Sequence, residues 1–411
     1  MKKLGWLIVF QMASFFISAQ TINDIYEKGL QLKEQGKCTE AIKNFSEVVQ
    51  KDKSYYEAWY GRAQCFKELN KIDLAIQDLN AAIAAKKDYA EAYFLRSDLY
   101  QKQNKISEAL NDLNQLIRLK PDNCVAYEKR AVLYLTMSDK KMSAVSDLQK
   151  AISLNSTNHQ IYMKYAEICM EKNKIDDAIT NLNKVIELEP DQKEAYFKLS
   201  QCYHKKGDYP NEIQSETKAI QHGFMNEEIY YMRASAYFEK KLYDSALLDL
   251  NILVNQYHSK KTEVYLMRGK AEMALNKEND AVKDFSKAIM LDKMLAEAYY
   301  LRGEIYQKQG KTKDVLAKKD FDKAIELEPT NANAYIKRAI YYINKKNQES
   351  ALSDLNKSIK IKPTGEAYYY RGAILHDQHK TTDACSNLKK AFDMGYDEAK
   401  KKLEEVCPTY Q

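Results

Sequence analysis

Residues 90–123 read AEAYFLRSDLYQKQNKISEALNDLNQLIRLKPDN, and this stretch decides the fold. Tyr93, Ser97 and Tyr100 recur at spacings of four and three, which puts an aromatic, a small and an aromatic residue on one helical face. Gln103-Asn104-Lys105 then breaks the pattern with a polar turn, and a second amphipathic stretch follows with Ala109, Asp112, Leu113 and Leu116. Pro121 ends it, because a proline lacks the N–H that a helix interior needs. The stretch is a helix-turn-helix hairpin of 34 residues.

Working outward, the same small position returns at Gly29, Ala63, Ser97, Ala131, Ala166, Ser200, Ala234, Gly269, Gly303, Ala339 and Gly372, at gaps of 33 to 36 residues. Self-similarity at this period marks a repeat architecture, in which each repeat buries its apolar face only by stacking on its neighbours. A second small residue follows in each repeat, from Ala41 and Ala75 to Ala351 and Ala384, and only Glu212 in repeat six breaks that series. Pro121, Pro190, Pro329 and Pro363 punctuate the joins. Repeats four and nine carry one and two extra residues in their inner turns. Repeat six departs most, with Glu212, Glu216, Pro210 and His222-Gly223, and a loosening or hinge is expected over residues 207–226, the alternative being a tolerated degenerate repeat.

These positions resemble the tetratricopeptide repeat, of the exported bacterial type, over about residues 22–396, or about eleven repeats. The resemblance implies an all-α, right-handed superhelical solenoid whose first helices line a concave groove and whose work is binding other proteins. Residues 397–411 are expected to supply a capping helix and tail, with Ala399, Leu403 and Val406 turned inward to cover the last repeat.

Residues 1–20 differ from all that follow. Lys2 and Lys3 precede an apolar run from Leu4 to Ile17, and Ala19 stands before Gln20, the parts of a cleavable secretory leader; an uncleaved anchor is the alternative. Export to the periplasm, the outer membrane or the exterior is expected, with no integral membrane segment once the leader is removed. The formal charge of +6 falls to +4 without the two leader lysines, and both signs alternate throughout the chain. That balance argues against nucleic acid.

Eight repeats carry Arg one residue before the small position, including Arg62, Arg96, Arg302 and Arg338, and seven of these have Asp in the second helix, including Asp78, Asp112, Asp320 and Asp354. Repeats one, five and six lack both, so one Arg–Asp bridge per repeat is expected, with a two-point fork. A ladder of arginines for an anionic ligand is the weaker alternative, since a cation matched to its own carboxylate is poorly available.

Residues three before the small position are expected to face the groove. They include Tyr60, Phe94, Phe197, Tyr231, Leu266, Tyr300, Ile336 and Tyr369, with Phe238 added four residues after its small position. Ten of the eleven such positions are apolar or aromatic and none is Lys or Asn, so the groove suits an apolar or aromatic segment of another protein rather than a terminal carboxylate. Packing between neighbouring first helices is the competing use of this stripe.

Seven cysteines occur. Cys385 and Cys407 lie symmetrically about the turn at Gly395-Tyr396 and are candidates for a disulfide, as are Cys38 and Cys65 about the turn near 51–54. His376 and His379 are three apart, without a further metal ligand in the pattern. No glycine-rich phosphate loop, nucleophile elbow or zinc spacing is present, so neither enzyme nor cofactor is expected. The sequence thus points to a scaffold or adaptor in the cell envelope, with a periplasmic holdase-type chaperone as its rival.

Overall fold

The computed structural model describes residues 22–407, which are helices and the turns between them, with no strand among the described residues. The leader lies outside the described residues. The chain divides into two compact units, one ending at Ala195 and the other beginning at Tyr196.

In the first unit a helix over residues 22–34 pairs with Cys38–Lys51, and four more hairpins follow, ending with His159–Glu171 and Ile175–Leu188. The second unit begins within the helix Lys193–Lys206, adds Tyr209–Gln221 and five further hairpins, and ends with the short helix Glu398–Val406. Within each unit a helix packs chiefly on the helix before it and the helix after it. No central core exists; each unit instead has a series of apolar clusters, such as the one around Phe45 and Val48 and the one around Ile336 and Leu355.

Each hairpin closes on a paired choice of residues. Where the second helix presents Phe45, Phe285 or Phe321, the facing small residue is Gly29, Gly269 or Gly303, and a Cβ there would stand 2.8, 2.7 or 2.8 Å from the ring. Where it presents Leu79, Leu148, Leu182, Leu250 or Leu355, the facing residue is Ala63, Ala131, Ala166, Ala234 or Ala339, all fully buried. Ring and methyl therefore compete for one volume. Gly372 opposite Leu388 departs from this pairing, as do Ser97 opposite Leu113 and Ser200 opposite Glu216.

The inner turns need a left-handed residue seven after the small position. Gly36, Gly310, Asn70 and Asn104 take it with φ between 56° and 84°, residue types for which that conformation is least costly. The extra residue of repeat four enters a 3₁₀ turn at Ser138–Lys140, and the longer turn of repeat nine delays its second helix to Asp314–Leu327.

Repeat six keeps the hairpin despite its departures. Its second helix Tyr209–Gln221 is continuous, with Pro210 in the first turn, where no N–H is required, and the Asp208 carboxylate accepting from the Asn211 amide. The departure lies in the packing: Glu212 and Glu216 are both 0% exposed. At the far end, Ala399, Leu403 and Val406 cover Ala384 and Leu388, and a Cys385–Cys407 disulfide ties the capping helix down.

Candidate protein-binding groove

The arginines form a regular lattice. Arg62 Nε and Nη2 donate to the two oxygens of Asp78, both at 2.7 Å, and Arg96 does the same to Asp112 at 2.8 and 2.6 Å. Arg130–Asp147, Arg233–Asp249, Arg268–Asp284, Arg302–Asp320 and Arg338–Asp354 repeat the fork, while Arg371 has one bond to Asn387. Burial raises the Asp78 and Asp112 carboxyls above their ordinary values, with the arginines pulling the other way. The bond to Asp112 raises Arg96 in turn against its own burial, so desolvation and attraction stand close to balance, and such a bridge fixes helix register more than it adds stability.

A third contact was not read from the sequence. Each of these arginines also donates through Nη1 to the preceding hairpin: Arg62 to Ser46, Arg96 to Asn80, Arg233 to Thr217, Arg302 to Ser286 and Arg338 to Asp322. The signal was present as a polar residue directly after the buried Phe or Leu, or after Glu216 in repeat six, of every repeat that precedes an arginine. In repeat five, where Tyr165 replaces the arginine, the equivalent Gln149 donates to the tyrosine hydroxyl at 2.7 Å. Aromatic rings flank the guanidinium, as Trp59 and Phe66 do around Arg62 at 4.9 and 5.8 Å. With its donors and faces so engaged, the arginine ladder does not offer an anion site.

The aromatic stripe is half-buried. In the first unit the Tyr60 ring meets Tyr89 at 5.1 Å, and the Lys129 ammonium sits 5.2 Å from the Phe94 ring. Tyr60 and Phe94 floor an open hollow of about 240 Å³ whose rim carries Val125, 45% exposed, and the Glu91–Lys120 ion pair at 2.7 Å. In the second unit Phe197 stacks on Phe224 at 4.5 Å, Phe238 meets Tyr243 edge-on at 5.3 Å, and Tyr369 lies between Tyr370 and Tyr396. Tyr231 is half-buried, Leu266 packs into two adjoining clusters, and burial with Glu304 beside it pushes the Tyr300 hydroxyl far above its ordinary value. Ile336 contradicts its assignment to the groove: at 1% exposure it belongs to the core with Ala339 and Leu355, because its neighbours close over an aliphatic side chain. A hollow of about 450 Å³ in the second unit is lined by Met273, Ile340, Glu304, Lys308 and Lys337.

Beside the rings runs a line of ion pairs between successive first helices, Lys129–Asp98, Lys270–Glu297 and Lys337–Glu366, at 2.8, 2.6 and 3.1 Å. In each unit the stripe is therefore apolar at the rings and charged beside them.

Cys38 and Cys65 are held as buried thiols, contrary to the second disulfide considered from sequence, and the Cys38 thiol donates to the Glu68 carboxylate at 2.7 Å. His379 falls beyond the end of its helix Gly365–Asp377 with φ of 60°, so it does not share a helical face with His376. Among the described residues no group of three or more His, Cys, Asp or Glu is disposed to hold a metal ion, and no helix is long and apolar enough to cross a membrane.

Family models described as tetratricopeptide repeat match residues 26–90, 90–123, 296–331 and 321–353, and one described as TPR repeat matches 166–207 and 269–310. The chain is a tetratricopeptide repeat protein. No curated protein matches it. Among solved structures, this tetratricopeptide repeat protein is similar to one from Parabacteroides merdae, at 23% identity over 60% of this chain and 97% of that one, with a TM-score of 0.43. It is similar also to yeast Tom70, at 15% identity over 88% and 97% of the two chains with a TM-score of 0.37, and to Pseudomonas aeruginosa pilF, at 15% over 52% and 97% with a TM-score of 0.42. A tetratricopeptide repeat array is a scaffold for protein–protein interaction, and its partners are other proteins.

Proposed function

We propose that this chain is an exported scaffold or adaptor of the cell envelope, which holds a small set of partner proteins by docking an apolar or aromatic segment of each into its groove. The observation that carries this reading is the hollow over Tyr60 and Phe94, an aromatic floor beneath a rim formed by Val125 and the Glu91–Lys120 pair. A peptide can bury one large side chain there and satisfy its backbone at the charged edge. Export rests on the leader-like residues 1–20.

A periplasmic holdase for unfolded exported chains is the rival reading. It needs broad exposed apolar surface. The groove rings are instead committed to neighbours, as Phe197 is to Phe224 and Tyr369 to Tyr396, which favours the scaffold.

The test is affinity capture of the mature chain from fractionated envelopes, comparing wild type with Phe94→Ala plus Val125→Asp. Val125 is exposed and Phe94 half-buried, so circular dichroism should report an intact fold. A few stoichiometric partners, lost in the variant, support the scaffold. Retention of those partners by the variant refutes the groove assignment, and capture of many substoichiometric exported chains turns the reading to a holdase.

A further inference from the structure

Repeat six replaces two apolar residues that the second helices of its neighbours bury. Glu212 stands where Ala178 and Ala246 stand in the adjoining repeats, and Glu216 stands where Leu182 and Leu250 stand. Both glutamates are 0% exposed, yet neither Glu216 oxygen nor Glu212 Oε2 has a hydrogen-bond partner. The remaining oxygen, Glu212 Oε1, lies 2.8 Å from His204 Nδ1 of the preceding helix.

The charged groups around Glu216 give it no donor. On its own helix is Glu212, a like charge one turn away; from the preceding helix comes His204, already engaged with Glu212. From the next hairpin come Arg233 and Asp249, which hold each other by two hydrogen bonds at 2.8 and 2.7 Å, and the third arginine contact goes to Thr217. A buried carboxylate without a donor is strongly disfavoured, whereas the neutral acid, though its hydroxyl is still unpartnered, costs far less to bury.

We propose that the hairpin of residues 193–221 is a proton-operated joint, which closes with the Glu216 carboxyl protonated and opens as that carboxyl releases its proton to solvent. Burial raises Glu216 to about 9 from 4.5, with Glu212 adding to the rise, Arg233 opposing it and Asp249 adding again. Burial raises Glu212 too, against the pull of His204. The closed state therefore binds a proton that the open state has lost. Its advantage is whole below 4.5, shrinks as pH rises and is gone above about 9, so the opening constant grows about tenfold per pH unit between those limits. Opening parts Phe197 from Phe224, which hides this groove ring in acid and frees it in alkali.

Hydrogen exchange of the full chain, read by mass spectrometry at pH 6, 7 and 8, tests the joint. Opening constants for residues 209–221 are divided by those for residues 348–361 in the same sample, which cancels the intrinsic pH dependence. The expected ratio rises about a hundredfold from pH 6 to pH 8 in wild type. It stays flat in Glu216→Gln and Glu216→Leu, and keeps a rise in Glu212→Gln. A flat wild-type ratio overturns the proposal even if no variant folds. So does a rise that persists in both Glu216 variants, or one abolished by Glu212→Gln alone.

Discussion

Adding one methyl group at Gly303 should unsettle the ninth hairpin, and removing part of a ring should settle it again. An alanine Cβ there would lie 2.8 Å from Phe321 Cε1, 3.0 Å from Cδ1 and 3.3 Å from Asp320 Cβ. Carbon contacts are most favourable at about 3.5–4.0 Å, so the ring must retreat by roughly an ångström, and Phe321 is 0% exposed with nowhere open to go. Overpacking of this kind costs about 1–3 kcal/mol. Replacing glycine inside a helix returns about 1 kcal/mol, leaving Gly303→Ala less stable by up to about 2 kcal/mol. Phe321→Leu alone leaves a void and loses about 1–2 kcal/mol. The double variant recreates the Ala63–Leu79 pairing and should lie near wild type, a coupling of about 2 kcal/mol. Hydrogen exchange over residues 296–327 measures each opening free energy. The reasoning fails if Gly303→Ala alone stabilises the hairpin or if the coupling is below about 0.5 kcal/mol.

Arg302→Met should destabilise its hairpin by about 3 kcal/mol, because Asp320 is left buried and unpaired, while Arg302→Met with Asp320→Leu should recover most of the loss; urea melts followed by exchange of the same peptides would show it. Reducing the Cys385–Cys407 bond, which spans 22 residues, should remove about 3 kcal/mol and confine new exchange to residues 381–406. Burial and the neighbouring Asp284 raise Glu272 to about 7, so its contribution to stability is present below 4.5 and declines up to about 7. Thermal melts between pH 5 and 8 should accordingly slope less for Glu272→Gln than for wild type.

Much of this was legible because a repeat states each constraint eleven times. Hairpin boundaries, the Arg–Asp pairing and the capping helix all follow from positions that recur in register, so a chance match at one repeat is corrected by the next. The exposure of the groove was less legible. Phe94 and Ile336 occupy equivalent positions, but one floors a hollow and the other is sealed among Ala339, Leu355 and their neighbours, a difference set by packing across helices. Repeat six shows the same limit: Glu212 and Glu216 stand in the sequence where a small and an apolar residue are due, which leaves a loosening and a tolerated degenerate repeat both open, and the stack buries the two in a continuous helix. Periodicity tells where a side chain points, not whether the groups around it suit its charge.

The third hydrogen bond of each arginine bears on how such a chain can be rearranged. A hairpin lifted from one place carries the donor with it and leaves the acceptor behind on its upstream neighbour, since Arg96 depends on Asn80, Arg268 on Asn251 and Arg371 on Asn356. Duplication, deletion or grafting of a whole hairpin thus preserves the fork but breaks the splice unless the new upstream hairpin presents Ser, Thr, Asn or Asp in the right place. A hairpin is therefore interchangeable only where the second helix ahead of it presents a matching acceptor, and shuffling in the laboratory should check that position at each new join.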